Sequence, residues 1–247
     1  MPHRDKTPPL FDTARDTSSV YSSARDLAQP AICLSGNLAY DVRLQMEGLH
    51  LLAALPDDSV PVIFFDPQYR GVLEHLAYGN EGETRGSPRR ALRQMTGEIP
   101  EFVQAIGRVL MPSGHLFLWM DKYHLCSGFQ EWLTGTRLEV VDMITWSKQK
   151  MGMGYRSRRV GEHVVALQKP PRRAKGVWTR HDIPDVWVEP VAKSRHTHRK
   201  PVGLQAALIE AVSNPGDVII DPAAGSFSVL EACQATDRRF LGCDING

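Results

Sequence analysis

The chain has 247 residues, 42% of them hydrophobic, which is enough for one full core and favours a single large domain with embellishments over two small ones. Four cysteines (Cys33, Cys126, Cys233 and Cys243) stand apart, with neither a CxxC pair nor a His-rich cluster, so a metal site and a disulfide framework are not indicated. No signal-peptide core and no membrane-length apolar run occurs; a soluble, cytoplasmic protein is expected. The formal net charge of +1 conceals a segregation: Lys148 to Lys200 holds 14 Lys and Arg against 4 Asp and Glu, which suits a polyanion or a solvated basic loop.

Residues 1–30 are rich in Ser, Asp, Arg, Thr and Pro and read as a flexible arm or surface wrap, leaving 31–247 as the domain. Met46 to Leu55 has helical apolar spacing and ends at the turn Pro56–Ser59. Val62 to Phe65 then reads as a strand buried on both faces, stopped by Asp66, Pro67, Gln68 and Tyr69. From about Gly71 to Gly97 periodicity is weak, and the segment, with Arg85, Arg89 and Arg90, reads as a lid, a substrate-contacting loop or simple disorder. Pro100 opens a helix to Leu110, followed by the strand His115–Met120.

A helix at Phe129–Leu133 precedes strands at Leu138–Trp146 and Glu162–Gln168. Their connecting loop presents Lys148, Lys150, Arg156, Arg158 and Arg159 together. Pro170 to Arg199 reads as irregular, with Trp178 and Trp187 among Arg172, Arg173 and Arg180; aromatics interleaved with cations suit nucleic acid, although packing is the commoner fate of Trp. An amphipathic helix is expected at Pro201–Ser213, a strand at Asp217–Ile220, a tight loop over 221–226, a helix at Phe227–Gln234 and a last strand at Phe240–Ile245.

Two strands thus end in Asp-Pro, one at Asp66 and one at Asp221. Strand, small-residue loop, helix, strand, acid is a nucleotide-binding layout in which Asp244 can accept from ribose hydroxyls, though Gly/Ser turns of this kind also occur without a ligand. At the other loop, Asp66 and the Pro67 carbonyl could both accept from an exocyclic base amine. That would turn its lone pair out of the ring toward an electrophilic carbon, with Tyr69 stacked on the flipped base; the plainer alternative is that Asp66 caps the next turn.

The combination resembles the β-class amino methyltransferases of DNA. In that family a (D/S)PP(Y/F) catalytic motif comes first, a target-recognition region follows, and HPxxKP and DPFxGSG segments close the domain. Here DPQY stands at 66–69, HTHRKP at 196–201 and DPAAGSF at 221–227, in that order. Gln68, Thr197 and Phe227 depart from the pattern.

The resemblance implies an α/β, Rossmann-like doubly wound, mostly parallel sheet of the S-adenosylmethionine-dependent methyltransferase type, circularly permuted so that the catalytic motif precedes the cofactor motif. It implies catalysis at Asp66, Pro67, Gln68 and Tyr69. The cofactor, S-adenosylmethionine, would be held by Glu47, Lys200, Asp221, Pro222, Ala223, Gly225, Ser226 and Asp244. DNA would be bound by a target-recognition region over about 148–199 together with Arg85, Arg89 and Arg90. Asp at the head of the motif favours adenine N6. Cytosine N4, RNA or protein amides as acceptors, and an inactive nucleic-acid-binding subunit, stay open as alternatives, with a homodimer as one option for the assembly.

Overall fold

The computed structural model describes residues 25–34, 36, 38–68, 95, 97–152, 157–192 and 199–246. Along the chain these form β1 (Leu44–Gln45), α1 (Gly48–Ala53), β2 (Val60–Phe65), α2 (Ile99–Val109), β3 (Leu110–Met120), α3 (Lys122–Ser127), a 3-10 turn (Gln130–Leu133) and β4 (Glu139–Ser147). They continue with β5 (Gly161–Gln168), β6 (Val186–Val188), α4 (Val202–Val212), β7 (Val218–Asp221), α5 (Ser228–Ala235) and β8 (Arg239–Asp244).

The strands make one sheet in the order β1-β8-β7-β2-β3-β5-β4-β6. Strand β5 runs antiparallel to both neighbours, β3 and β4, and the remaining pairings are parallel. Strand β2 is buried at all six positions, as its apolar run predicts. Alternation sends Ile63 and Phe65 to one layer, with Leu51 and Leu52 of α1 and Phe102 and Ile106 of α2. Val62 and Phe64 go to the other, with Leu204 and Leu208 of α4 and Val229 of α5. Helices therefore cover both faces, giving the doubly wound, three-layer α/β arrangement. Burying each large core side chain contributes about 1.5–3 kcal/mol, so β2 anchors both layers at once.

The connection β7-α5-β8 runs toward one edge and β2-α2-β3 toward the other, so strand order reverses between β7 and β2. Those two strands are neighbours, Val62 beside Ile219 and Ile63 beside Ile220. Both Asp-Pro loops therefore open at the same carboxyl-end crevice, where such sheets bind ligands.

Two expectations change, and two open alternatives are decided. Helix α4 is not amphipathic: seven of its residues are buried, because it packs on the sheet, beside α5 and against Trp178 and Trp187. The 170–199 stretch is not wholly irregular, since β6 pairs with Thr145–Ser147 of β4. Trp178 and Trp187 pack on the core beside α4, and their indoles donate within their own segment, to the Arg180 carbonyl and to Glu189 Oε2. The described end of the N-terminal arm is held, not loose: Arg25 donates to the Val177 carbonyl, Asp26 to that of Gly176, and Gln29 bridges Ser59 and Val218. Among the described residues no helix is long and apolar enough to cross a membrane.

Candidate active site

Asp66 follows the last residue of β2, where Pro67 ends the ladder. Pro67 is buried, and the Gln68 carbonyl accepts from the Met95 N–H at 2.7 Å, tying the motif to the chain just before α2. Tyr69 lies outside the described residues, as do Arg85, Arg89, Arg90 and Arg156.

Lys200, the last residue before the turn into α4, reaches across the crevice. Its Nζ is 2.6 Å from Asp66 Oδ2 and 3.3 Å from Glu162 Oε2, and it stands 5.1 Å above the Trp119 ring. Glu162 Oε1 in turn takes the Lys148 ammonium, which lies 5.0 Å over Trp146. The two indoles meet edge to face at 6.2 Å and form the floor beneath these charges. Burial disfavours the Lys200 ammonium, but Asp66 and Glu162 outweigh it and hold its pKa above the ordinary lysine value. Burial likewise raises Glu162, yet Lys200 and Lys148 overcome it and bring its pKa down to about 2. The direct contacts of Lys200 are with Asp66 of the DPQY motif and with Glu162, and its charge also acts on Asp221 of the second Asp-Pro loop.

The second loop begins where β7 ends. Asp221 is buried, and its Oδ1 accepts from the Ala223 N–H at 3.2 Å. Burial pushes its carboxyl well above the usual range, and the charges of Asp66 and Asp244 push the same way. The loop then turns at Gly225, φ +49°, whose missing Cβ would project into open space, and enters α5 through Phe227 in the left-handed region. Ala224 N–H donates to the Cys243 carbonyl at 2.9 Å, fastening the loop to β8. A Cβ on Gly48 would lie 2.1 Å from the Pro222 carbonyl oxygen, so only glycine lets α1 begin this close to the loop. Glu47 is thereby placed beside it, and Met46 N–H donates to the Asp244 carbonyl at 3.2 Å. Glu47, Asp221, Pro222, Ala223, Gly225, Ser226 and Asp244 thus come from three chain segments to the carboxyl end of the sheet, where such folds bind ligands.

The basic residues do not form one face. Strand β4 ends and β5 begins at the crevice end of the sheet, so the loop with Lys148, Lys150, Arg158 and Arg159 stands beside Asp66. Gln168, at the far end of β5, pairs with His115 near the amino end of β3, and Arg172 and Arg173 follow it there. Arg172 pairs with Glu139 at 3.0 Å, Arg173 with Asp26 at 3.0 Å, and Arg180 with Glu210 and Asp182. These three serve ion pairs at the end away from the crevice, because β5 carries the chain back down the sheet. Sequence reasoning missed Glu162, whose one visible signal is an acid just ahead of the apolar run Val164–Leu167.

Residues 60–247 match the family described as DNA methylase, of the N6/N4 type. The type II methyltransferase M.HhaII of Haemophilus parahaemolyticus is 53% identical over 203 residues, spanning 81% of this chain and 89% of that protein. The crystal structure of an M1.HpyAVI–SAM complex superposes with a TM-score of 0.57 at 16% identity, over 81% of this chain and 90% of the other. The cytosine-N4-specific PvuII DNA methyltransferase superposes with a TM-score of 0.63 at 12% identity, over 84% and 83%. The two structural likenesses establish the shared fold, and the sequence match establishes kinship: this chain belongs to the N6/N4 DNA methylase family.

Proposed function

We propose that the chain moves a methyl group from S-adenosylmethionine to the exocyclic N6 amine of an adenine flipped out of DNA. The observation that carries this reading is the placement of the Asp66-Pro67 turn beside the Asp221–Ser226 loop at the reversal of strand order. One turn offers two acceptors for an amine, and the other offers a cradle for the methyl donor.

When bound, the cofactor supplies a methyl carbon made electrophilic by its sulfonium. Asp244 is assigned to the ribose hydroxyls, Glu47, Asp221 and the backbone of Ala223 to Ser226 to the remainder. Asp66 and the Pro67 carbonyl accept hydrogen bonds from the two N–H groups of the adenine amine, which points its lone pair out of the ring plane toward the methyl donor; as N6 gains the methyl and the C–S bond breaks, the amine sheds one proton along its hydrogen bond to Asp66 and on to water. Lys200 Nζ, 2.6 Å from Asp66 Oδ2, fixes the direction in which that carboxylate points. Because the same carboxylates keep Lys200 protonated, it positions Asp66 and does not act as a base. Lys150, Arg158 and Arg159 of the β4–β5 loop are assigned to backbone phosphates of the DNA.

Asp rather than Ser at the head of the motif supports adenine over cytosine. The test is nucleoside analysis of unmethylated bacterial DNA after incubation with the protein and labelled S-adenosylmethionine. Label in N6-methyladenine is expected; label confined to N4-methylcytosine would overturn the base assignment, and no label in DNA would overturn the activity.

A further inference from the structure

Glu162 faces Trp146 across the β4–β5 register, on the face that carries Val164, Trp119 and Trp146. A carboxylate among indoles costs free energy unless its oxygens are matched. Both are matched, Oε2 by Lys200 at 3.3 Å and Oε1 by Lys148. Lys148 is the first residue beyond β4 and opens the basic loop, while the other partner of Lys200 is Asp66 at 2.6 Å. Four side chains from four parts of the chain thus form a line of alternating charge running from the loop beside the crevice to the carboxylate at the end of β2.

Asp66 needs one cation to orient it, and a lysine on a flexible stem fixes nothing unless its own position is fixed. Trp119 beneath and Glu162 beside it remove that freedom. We propose that Glu162 and Lys148 are positioning residues for methyl transfer: Glu162 holds Lys200 where it orients Asp66, and Lys148 ties that assembly to the β4–β5 loop. The inference rests on Asp66 being the amine acceptor. Its consequence is that DNA engaging the loop also orders the acceptor carboxylate, since Lys148 belongs to both. Misplacing a reacting group by about 1 Å costs on the order of a hundredfold in rate, so a loosened Lys200 should register in kcat before it registers in binding.

The charged and titratable groups facing Lys200 are Asp66 from the end of β2, Glu162 from β5 with Lys148 behind it, and Asp221 across the crevice from β7. His163 adjoins Glu162 in sequence. Removing the Glu162 charge withdraws one of the two anions that hold the Lys200 proton. The ammonium is then lost at lower pH than in the wild-type protein, and the alkaline limb of the rate profile moves with it.

The test compares Glu162→Gln, Lys148→Met, Lys148→Arg and Asp66→Ala in the full chain. It uses methyl transfer to unmethylated bacterial DNA, cofactor titration calorimetry and thermal denaturation. Glu162→Gln is expected to lower kcat about 10–100-fold while KM for DNA and cofactor affinity stay within about twofold, and to shift the alkaline limb of the rate profile to lower pH. Lys148→Met should lower kcat by a smaller factor that Lys148→Arg restores. Undiminished kcat in Glu162→Gln overturns the proposal. So does a fall accompanied by equal loss of cofactor binding and an unchanged pH profile, the signature of a purely structural role. Asp66→Ala that still transfers methyl groups sinks the acceptor assignment and this inference together; an inactive Asp66→Ala beside a fully active Glu162→Gln sinks only the positioning role.

Discussion

Lys200 Nζ lies 2.6 Å from Asp66 Oδ2, joining the turn into α4 to the end of β2 across the crevice of the sheet. The contact unites two motifs 134 positions apart in the sequence, HRKP and DPQY, in a single ion pair. Lys200 keeps only 12% of its side chain in water and Asp66 33%, so the pair is partly desolvated and its loss leaves Asp66 without that cation and Glu162 with Lys148 alone.

Lys200→Met removes that cation from both Asp66 and Glu162. Breaking a buried pair costs about 3–5 kcal/mol, and the partial exposure of Asp66 places this one at or below the low end, at about 2–3 kcal/mol. Denaturant unfolding should show this as a lower midpoint with an unchanged slope. Methyl transfer should fall with it, since Asp66 loses its orientation; a variant as stable as the wild-type protein would show that the pair contributes no net stability.

Two acids at the site titrate in opposite senses, and each sign can be checked. Glu162 has its folded pKa depressed to about 2 from 4.5, so its contribution is present above pH 4.5 and is lost as pH falls toward 2. Glu162→Gln should therefore flatten the acid side of the stability curve in that window. Asp221 has its folded pKa raised above 3.8 by burial, so its contribution is present below 3.8 and is lost as pH rises through the raised value. Asp221→Asn should accordingly be more stable than the wild-type protein near neutrality while binding S-adenosylmethionine more weakly. Thermal scans across pH, with and without cofactor, measure both effects.

Gly48→Ala probes the seam between α1 and the cofactor loop. The new Cβ would sit 2.1 Å from the Pro222 carbonyl oxygen and 2.7 Å from the Phe102 ring, and the first of these is backbone that cannot rotate aside. An overpacking cost of about 1–3 kcal/mol is expected, together with displacement of the 221–226 loop. Calorimetry should show cofactor affinity reduced more than the affinity for DNA; equal loss of both would mean that the strain spreads beyond the loop.

Much of this site is legible in the sequence, for physical reasons. Val62–Phe65 and Val218–Ile220 are short apolar runs closed by Asp-Pro, and such runs announce both the strands and the edge where ligands bind. Their adjacency is not legible, because pairing of β2 with β7 joins segments more than 150 residues apart. Glu162 was invisible for a similar reason: its role depends on two lysines brought in from β4 and from the turn before α4. The buried circumference of α4 escaped as well, since a helix covered by both the sheet and a neighbouring helix loses the polar stripe by which amphipathicity is recognised. Charge composition misled most, because a run of cations in sequence says nothing about which end of the sheet each one reaches.

That last point makes the DNA surface testable. Lys150 and Arg158 are exposed on the crevice-side loop, whereas Arg172 and Arg173 are exposed at the opposite end and already paired with Glu139 and Asp26. Each phosphate contact contributes about 0.9 to the slope of log affinity against log salt. The double variant Lys150→Ala with Arg158→Ala should therefore weaken DNA binding and lower that slope by about 1–2, with cofactor affinity unchanged. Arg172→Ala with Arg173→Ala should leave the slope as it is and cost at most about 1 kcal/mol of stability from two exposed ion pairs. Fluorescence anisotropy with labelled duplex across a salt series distinguishes the pairs. A slope that drops for Arg172 and Arg173 instead would place the DNA at the amino end of the sheet, away from Asp66, which a base-flipping methyl transfer at that carboxylate does not permit.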